Sequence, residues 1–162
     1  KPEKLDHDEQ LIMQNHTVLG SELLKSSPNM YIGAADVAYS HHERFDGKGY
    51  PRRISAHQLS PYTRMVAVVD MYDSITSDRV YQEGITHLEA ANIMINVAGK
   101  QLDPDFVVKL RIDLSYTLFK SGSLNCKELS DSILVNIPIL LLCFSLNEFW
   151  FPVIMQSIIQ SR

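Results

Sequence analysis

The chain has 162 residues, 45% hydrophobic and 21% charged, the balance of one globular domain without low complexity. Its 15 Lys and Arg against 19 Asp and Glu give a net charge of −4 with no basic block, a poor basis for gripping DNA or RNA. Cys126 and Cys143 are too far apart for a Cys-x-x-Cys pair, which argues against a thiolate zinc site and a disulfide scaffold and fits a reducing, cytoplasmic compartment. An anionic substrate would then need local positive charge, and a bound divalent cation supplies it.

The opening KPEKLDHDEQ reads as the lead-in to a helix, with no signal peptide, and we expect further chain upstream of Lys1. Asp6 or Asp8 is the expected cap. Ile12, His16, Leu19 and Leu23 recur at helical spacing, which predicts one helix with one apolar face, ending near Ser26-Ser27-Pro28. A second short helix is expected from about Tyr31 to His41. Phe45-Asp46-Gly47-Lys48-Gly49-Tyr50-Pro51 carries an Asp-Gly turn, a second Gly and a Pro, so it is loop.

Ser60-Pro61 opens the next helix, with Ser as cap and Pro in the first turn. Its run Met65-Val66-Ala67-Val68-Val69, taken alone, also suits a buried strand; the cap and the length favour helix to about Thr76. Thr86 with Glu89 makes a capping box for a helix from about His87 to Ala98, stopped by Gly99, and Asp103-Pro104 opens another. The expected fold is all-α.

From about Leu114 the character changes. Ile133 to Leu146 and Phe149 to Ile159 are apolar runs, interrupted by Asn136, Pro138 and Glu148. Each is shorter than the roughly 20 residues that span a bilayer, so a buried or partner-facing helical pair is favoured over membrane association. Residues 1–113 and 114–162 are the expected domain and tail.

Asp70 stands on the apolar Met65–Val69 helix, with Asp73 three residues on near the same face. A buried carboxylate there needs a cation or hydrogen bonds; a single such Asp is more commonly solvated. His16 lies on the apolar face with Ile12 and Leu19, where a lone histidine is more often a satisfied, half-buried core residue than a ligand. His41 and His42 are adjacent, so on a helix they point about 100° apart. That suits two neighbouring metals better than one, although a chance surface pair has the same pattern. Three histidines and an aspartate form a mixed N/O donor set suited to iron, manganese or zinc. Such centres promote phosphoester cleavage.

The eleven-residue string His41-His42-Glu43-Arg44-Phe45-Asp46-Gly47-Lys48-Gly49-Tyr50-Pro51 closely resembles the HHExxDGxGYP signature of the HD-GYP family. Arg64 to Arg79, Met13-Gln14-Asn15-His16 with Gly20, and Gly99-Lys100-Gln101-Leu102-Asp103-Pro104 resemble its neighbouring segments, in the family's order, over about residues 1–110. The resemblance implies an HD-superfamily helical bundle, here without its N-terminal HD-bearing helices. It implies a centre of two or three divalent metals, most often iron or manganese, that hydrolyses cyclic di-GMP to linear pGpG and on to GMP. By motif position, His16, His41, His42 and Asp70 would be metal ligands and Arg79 would contact a substrate phosphate. Gly49, Tyr50 and Pro51 would form a loop beside the site.

Two departures accompany it. The family's His-Asp pair with its following Lys would lie upstream of Lys1, so residues 1–162 alone are expected to be poorly active and no catalytic residue is assigned. Gln82 stands where many members carry Lys or Arg, which would remove one cationic phosphate contact. A different class of function stays open: an inactive HD-GYP module that docks a partner, such as a diguanylate cyclase domain, or serves an upstream sensory or receiver domain.

Overall fold

A computed structural model describes residues 5–28, 30–79 and 83–123. The chain divides into two compact units, residues 1–107 and 108–162. The expectations for the apolar runs after Ile133, and for Gln82, fall outside the described residues. Among the described residues there are six α-helices and no strand: α1 His7–Gln14, α2 His16–Ser26, α3 Ile32–Ser40, α4 Pro61–Thr76, α5 His87–Val97 and α6 Pro104–Lys120. None of them is long and apolar enough to cross a membrane.

Local chemistry explains most of the boundaries. Asp6 caps α1 through a reciprocal box with Glu9: each side chain accepts the other's backbone N–H, both at 2.9 Å. Ser60 Oγ accepts the Thr63 N–H at the start of α4, with Pro61 in the first helical position. Thr86 and Glu89 form the expected box for α5. Gly99 follows with φ +78°, a left-handed conformation that costs a non-glycine residue energy.

The first expected helix is corrected. It breaks at Asn15 into α1 and α2. The Asn15 N–H reaches the carbonyls of Ile12 and Met13, closing a tight last turn, and the His16 ring takes the Met13 carbonyl at 2.6 Å. The apolar face is not buried either: Ile12 is 75% exposed and Leu23 69%. What α2 does bury is the small polar pair Thr17 and Ser21, on the side that packs against α3.

The core lies elsewhere. α4 buries Thr63, Val68, Tyr72 and Thr76 at helical spacing, and α5 buries Ala90, Ala91 and Met94. Burying a large apolar side chain is worth about 1.5–3 kcal/mol. Tyr72 Oη shares a hydrogen bond of 2.5 Å with His87 Nδ1, tying the C-terminal half of α4 to the start of α5. The face of α4 that carries Asp70 is left free of this core, because Asp70 itself is exposed.

Candidate metal centre

The three histidines predicted from sequence converge. His16 opens α2, His41 is the C-cap of α3, and His42 follows where the helix gives way to loop. One ligand nitrogen from each lies within 4.8 Å of the others. The ring centroids are 5.3 Å apart for His16–His41, 5.0 Å for His16–His42 and 4.2 Å for His41–His42. The break at Asn15 serves this geometry, since it turns His16 at the head of a new helix toward the end of α3.

The hydrogen bonds fix which nitrogens are available. His16 Nδ1 lies 2.6 Å from the Met13 carbonyl and His41 Nδ1 lies 2.8 Å from the Ala38 carbonyl. A carbonyl only accepts, so in both rings Nδ1 carries the proton. When both rings are neutral, both Nε2 atoms then present lone pairs, and they face each other at 3.3 Å. Two lone pairs at that separation repel unless a cation or a proton sits between them. Two donors about 2.1 Å from one metal ion lie about 3–4 Å apart. Backbone carbonyls orienting the far nitrogens are the usual outer support of metal-binding imidazoles.

Asp70 joins through His42. Its Oδ2 stands 3.7 Å from His42 Nδ1, too long for a hydrogen bond. Nor is the pair a salt bridge at neutral pH. Burial first, then the neighbouring His41 ring, push His42 down to about 4, against the raising effect of Asp70. A neutral imidazole beside a carboxylate at this spacing suits two ligands of one cation.

A pH dependence follows from this shift. His42 titrates near 6.5 in the unfolded chain and near 4 when folded, so the unfolded state takes up its proton first. In metal-free buffer the folded state is expected to lose stability as pH falls from about 6.5 to about 4, and to lose no more from this group below that. Urea midpoints measured across that range check it; His42→Gln should flatten this part of the profile.

The loop after the histidines is held closely. Gly49 packs on the backbone of His42, Glu43 and Arg44 so tightly that a Cβ there would overlap it. The Tyr50 N–H donates to the His42 carbonyl at 3.2 Å, and the Tyr50 ring lies over the His42 ring at 4.8 Å. The Tyr50–Pro51 peptide is cis. Burial, with Asp70 nearby, pushes the Tyr50 phenol up to about 12, so it is a neutral hydrogen-bond donor at working pH.

Three supporting groups had no role assigned from sequence. Glu43, only 3% exposed, accepts the backbone N–H groups of Arg52 at 2.5 Å, Arg53 at 3.0 Å and Ile54 at 3.1 Å. Arg44 makes a fork with Asp46, both bonds 3.0 Å, and reaches Gln101 Oε1 at 3.3 Å. Arg64 of α4 pairs with the buried Asp103. The turn at 98–103 also accepts the N–H groups of Phe45 and Asp46 on the carbonyls of Gln101 and Lys100. The one local signal was Glu43 itself, an acid directly beside two ligand-type residues.

Arg79 is exposed, in the segment after α4, and is not in the histidine cluster. A narrow recess lined by His42, Arg44, Asp70, Met71, Gln101 and Leu102 opens at the site. A roomier hollow between α1, α2 and Pro51 is lined by Leu11, Ile12, Gln14, Asn15 and Val18. It holds no titratable group and so offers no reaction chemistry.

Comparison with known proteins agrees with the geometry. The HD domain model matches residues 1–106. The chain is similar to the cyclic di-GMP phosphodiesterase response regulator RpfG of Xanthomonas campestris, 39% identical over 105 residues, covering 64% of this chain and 28% of that protein. It is similar to a cyclic di-GMP phosphodiesterase of Thermotoga maritima, 36% identical over 109 residues, 66% of this chain and 29% of the relative. It is also similar to 3'3'-cGAMP-specific phosphodiesterase 2 of Vibrio cholerae, 32% identical over 108 residues, 66% of this chain and 21% of the relative. The chain thus spans between 21% and 29% of the length of these relatives. With the signature at His41–Pro51 and the matched segment around it, the chain belongs to the HD domain family, in its HD-GYP branch.

Proposed function

We propose that this protein belongs to a metal-dependent phosphodiesterase that cleaves cyclic di-GMP to pGpG and GMP in the bacterial cytoplasm. Residues 1–113 are the partial catalytic domain in this reading, and 114–162 an apolar extension of it. The observation that carries it is the 3.3 Å approach of His16 Nε2 to His41 Nε2, with both Nδ1 atoms on backbone carbonyls, His42 in the same cluster and Asp70 3.7 Å from His42. His16, His41, His42 and Asp70 are the ligands in this reading. Two or three iron or manganese ions would stabilise the charge that develops on the phosphoryl oxygens.

The chain's own residues supply the setting. Nδ1–H of His16 and of His41 stay on their carbonyls and hold the two rings in one tautomer. Tyr50 shields one face of His42 from water and keeps a phenol O–H for a substrate acceptor. Arg79 binds a phosphate outside the cluster. We expect Arg79→Ala to raise KM about tenfold at constant metal content, the loss of one charge-assisted contact. Steady-state kinetics with metal analysis checks this, and an unchanged KM removes Arg79 from the site.

Relatives named for cyclic di-GMP and for 3'3'-cGAMP both match at more than 30% identity, so both dinucleotides belong in the assay. Cleavage is to be followed by chromatography with Mn2+ or Fe2+, on the 162-residue chain and on any longer natural form carrying an upstream His-Asp pair. We expect pGpG and GMP from the longer form and much slower release from residues 1–162. Preferred turnover of 3'3'-cGAMP would reassign the substrate. A second reading, an inactive module that docks a partner protein, is favoured by the exposed Ile12, Leu19 and Leu23 on α1 and α2. No cleavage by the longer form with metal bound would support it.

A further inference from the structure

Glu43 is almost wholly buried, yet no cation faces it among the described residues; its carboxylate is occupied by three successive backbone N–H groups, at 52, 53 and 54. Three consecutive N–H groups converge on one acceptor only where the backbone curls into a nest. That curl is visible at Arg53, whose φ of +56° is left-handed, a conformation costly for a side chain with a Cβ. A buried carboxylate thus sustains a strained turn, and the strain persists because the surroundings over-determine it.

The outer side of the turn is fixed as well. The Arg52 guanidinium donates to Ser40 Oγ and to Asp36 Oδ1, and lies over the Tyr39 ring at 5.3 Å. All three partners are on α3, the helix that ends in His41. The inner side returns to His42 through the Tyr50 N–H bond and the ring contact. His42, Glu43, the turn at 52–54 and Tyr50 therefore close a ring of contacts. His42 cannot rotate without disturbing Tyr50, and Tyr50 cannot leave without pulling on the turn that Glu43 holds.

We infer that Glu43 is a positioning residue that makes the loop 49–54 and His42 one unit, so that cation uptake at the histidines and ordering of this loop are reciprocal. The inference rests on the metal-centre reading above. Coupling of this kind is symmetric: whatever the cation gains from an ordered loop, the loop gains from the cation. Glu43→Gln is the direct variant, because an amide offers one oxygen where the carboxylate offers two and turns its NH2 against backbone N–H groups.

The test is hydrogen exchange at residues 52–54 of the 162-residue chain, with and without Mn2+, alongside the Mn2+ dissociation constant. In the wild type we expect Mn2+ to slow exchange at these amides about tenfold. In Glu43→Gln they should exchange about tenfold faster without metal and respond little to it, and the Mn2+ dissociation constant should rise about tenfold. Glu43→Asp keeps the charge but is one methylene short, and should restore part of the metal response. A purely structural Glu43 would raise exchange without abolishing that response. An equal Mn2+ response in the wild type and Glu43→Gln, or none in a wild type that binds Mn2+, overturns the coupling and leaves the metal centre standing. A wild type that takes up no Mn2+, either as the 162-residue chain or as a longer natural form carrying the upstream His-Asp pair, overturns the metal centre, and the coupling with it. If Glu43→Gln loses its helical signal, the wild type and Glu43→Asp decide by the same comparison.

Discussion

Replacing His41 with alanine is expected to weaken Mn2+ binding by about 100-fold or more, because loss of a ligand should cost at least as much as the 10–100-fold typical of outer-shell partners. His41 touches both other members of the cluster: its Nε2 faces His16 at 3.3 Å and its ring lies 4.2 Å from that of His42. Its Nδ1 is fixed by the Ala38 carbonyl, so the alanine variant removes a preoriented lone pair rather than a mobile side chain. The fold should survive, since His41 is a half-buried C-cap whose backbone N–H keeps its bond to Val37. His57, exposed in the short turn Ala56–Gln58, is the control, and His57→Ala should leave the titration unchanged. Calorimetric titration with metal analysis of the dialysed protein checks both. Equal affinity in His41→Ala and the wild type would mean that the 3.3 Å pair is held by a shared proton.

Much of this was legible because it was local. The Thr86–Glu89 box and the Ser60-Pro61 start are satisfied within three residues, so spacing alone finds them. The signature string reads the same way: His41, His42, Gly49 and Tyr50 act on each other within ten positions. The break at Asn15 was not legible, since the apolar spacing of Ile12, Leu19 and Leu23 continues across it. That spacing does not report a core here, because these side chains are exposed and the break is made by bonds to the Ile12 and Met13 carbonyls. Glu43 was overlooked for a related reason. Its partners lie nine to eleven residues downstream and are backbone groups, which leave no residue-type signal. Hardest to foresee was the tie between α4 and the turn at 98–103, whose partners are 39 positions apart.

That tie should carry the largest single cost to stability. Asp103 is 2% exposed and pairs with Arg64, whose guanidinium also lies over the Phe106 ring at 5.9 Å. Asp103 also starts α6, accepting the Asp105 N–H at 2.9 Å. Arg64→Met keeps the bulk of the stem but strands a buried carboxylate, a loss of about 3–5 kcal/mol. For a chain of this size the melting temperature should fall by about 10 °C. Adding Asp103→Asn removes the stranded charge and keeps an oxygen for the helix cap. The double variant should therefore be more stable than Arg64→Met alone, a sign that a simple sum of two losses would not give. The metal site should feel the change too, because the same turn accepts the Phe45 and Asp46 N–H groups that register the segment following His42. Mn2+ affinity in Arg64→Met, measured well below its melting temperature, should drop while His41, His42 and Asp70 remain in place. A double variant no more stable than Arg64→Met would mean that Asp103 finds another partner or protonates, and that the ion pair is not what binds α4 to the turn.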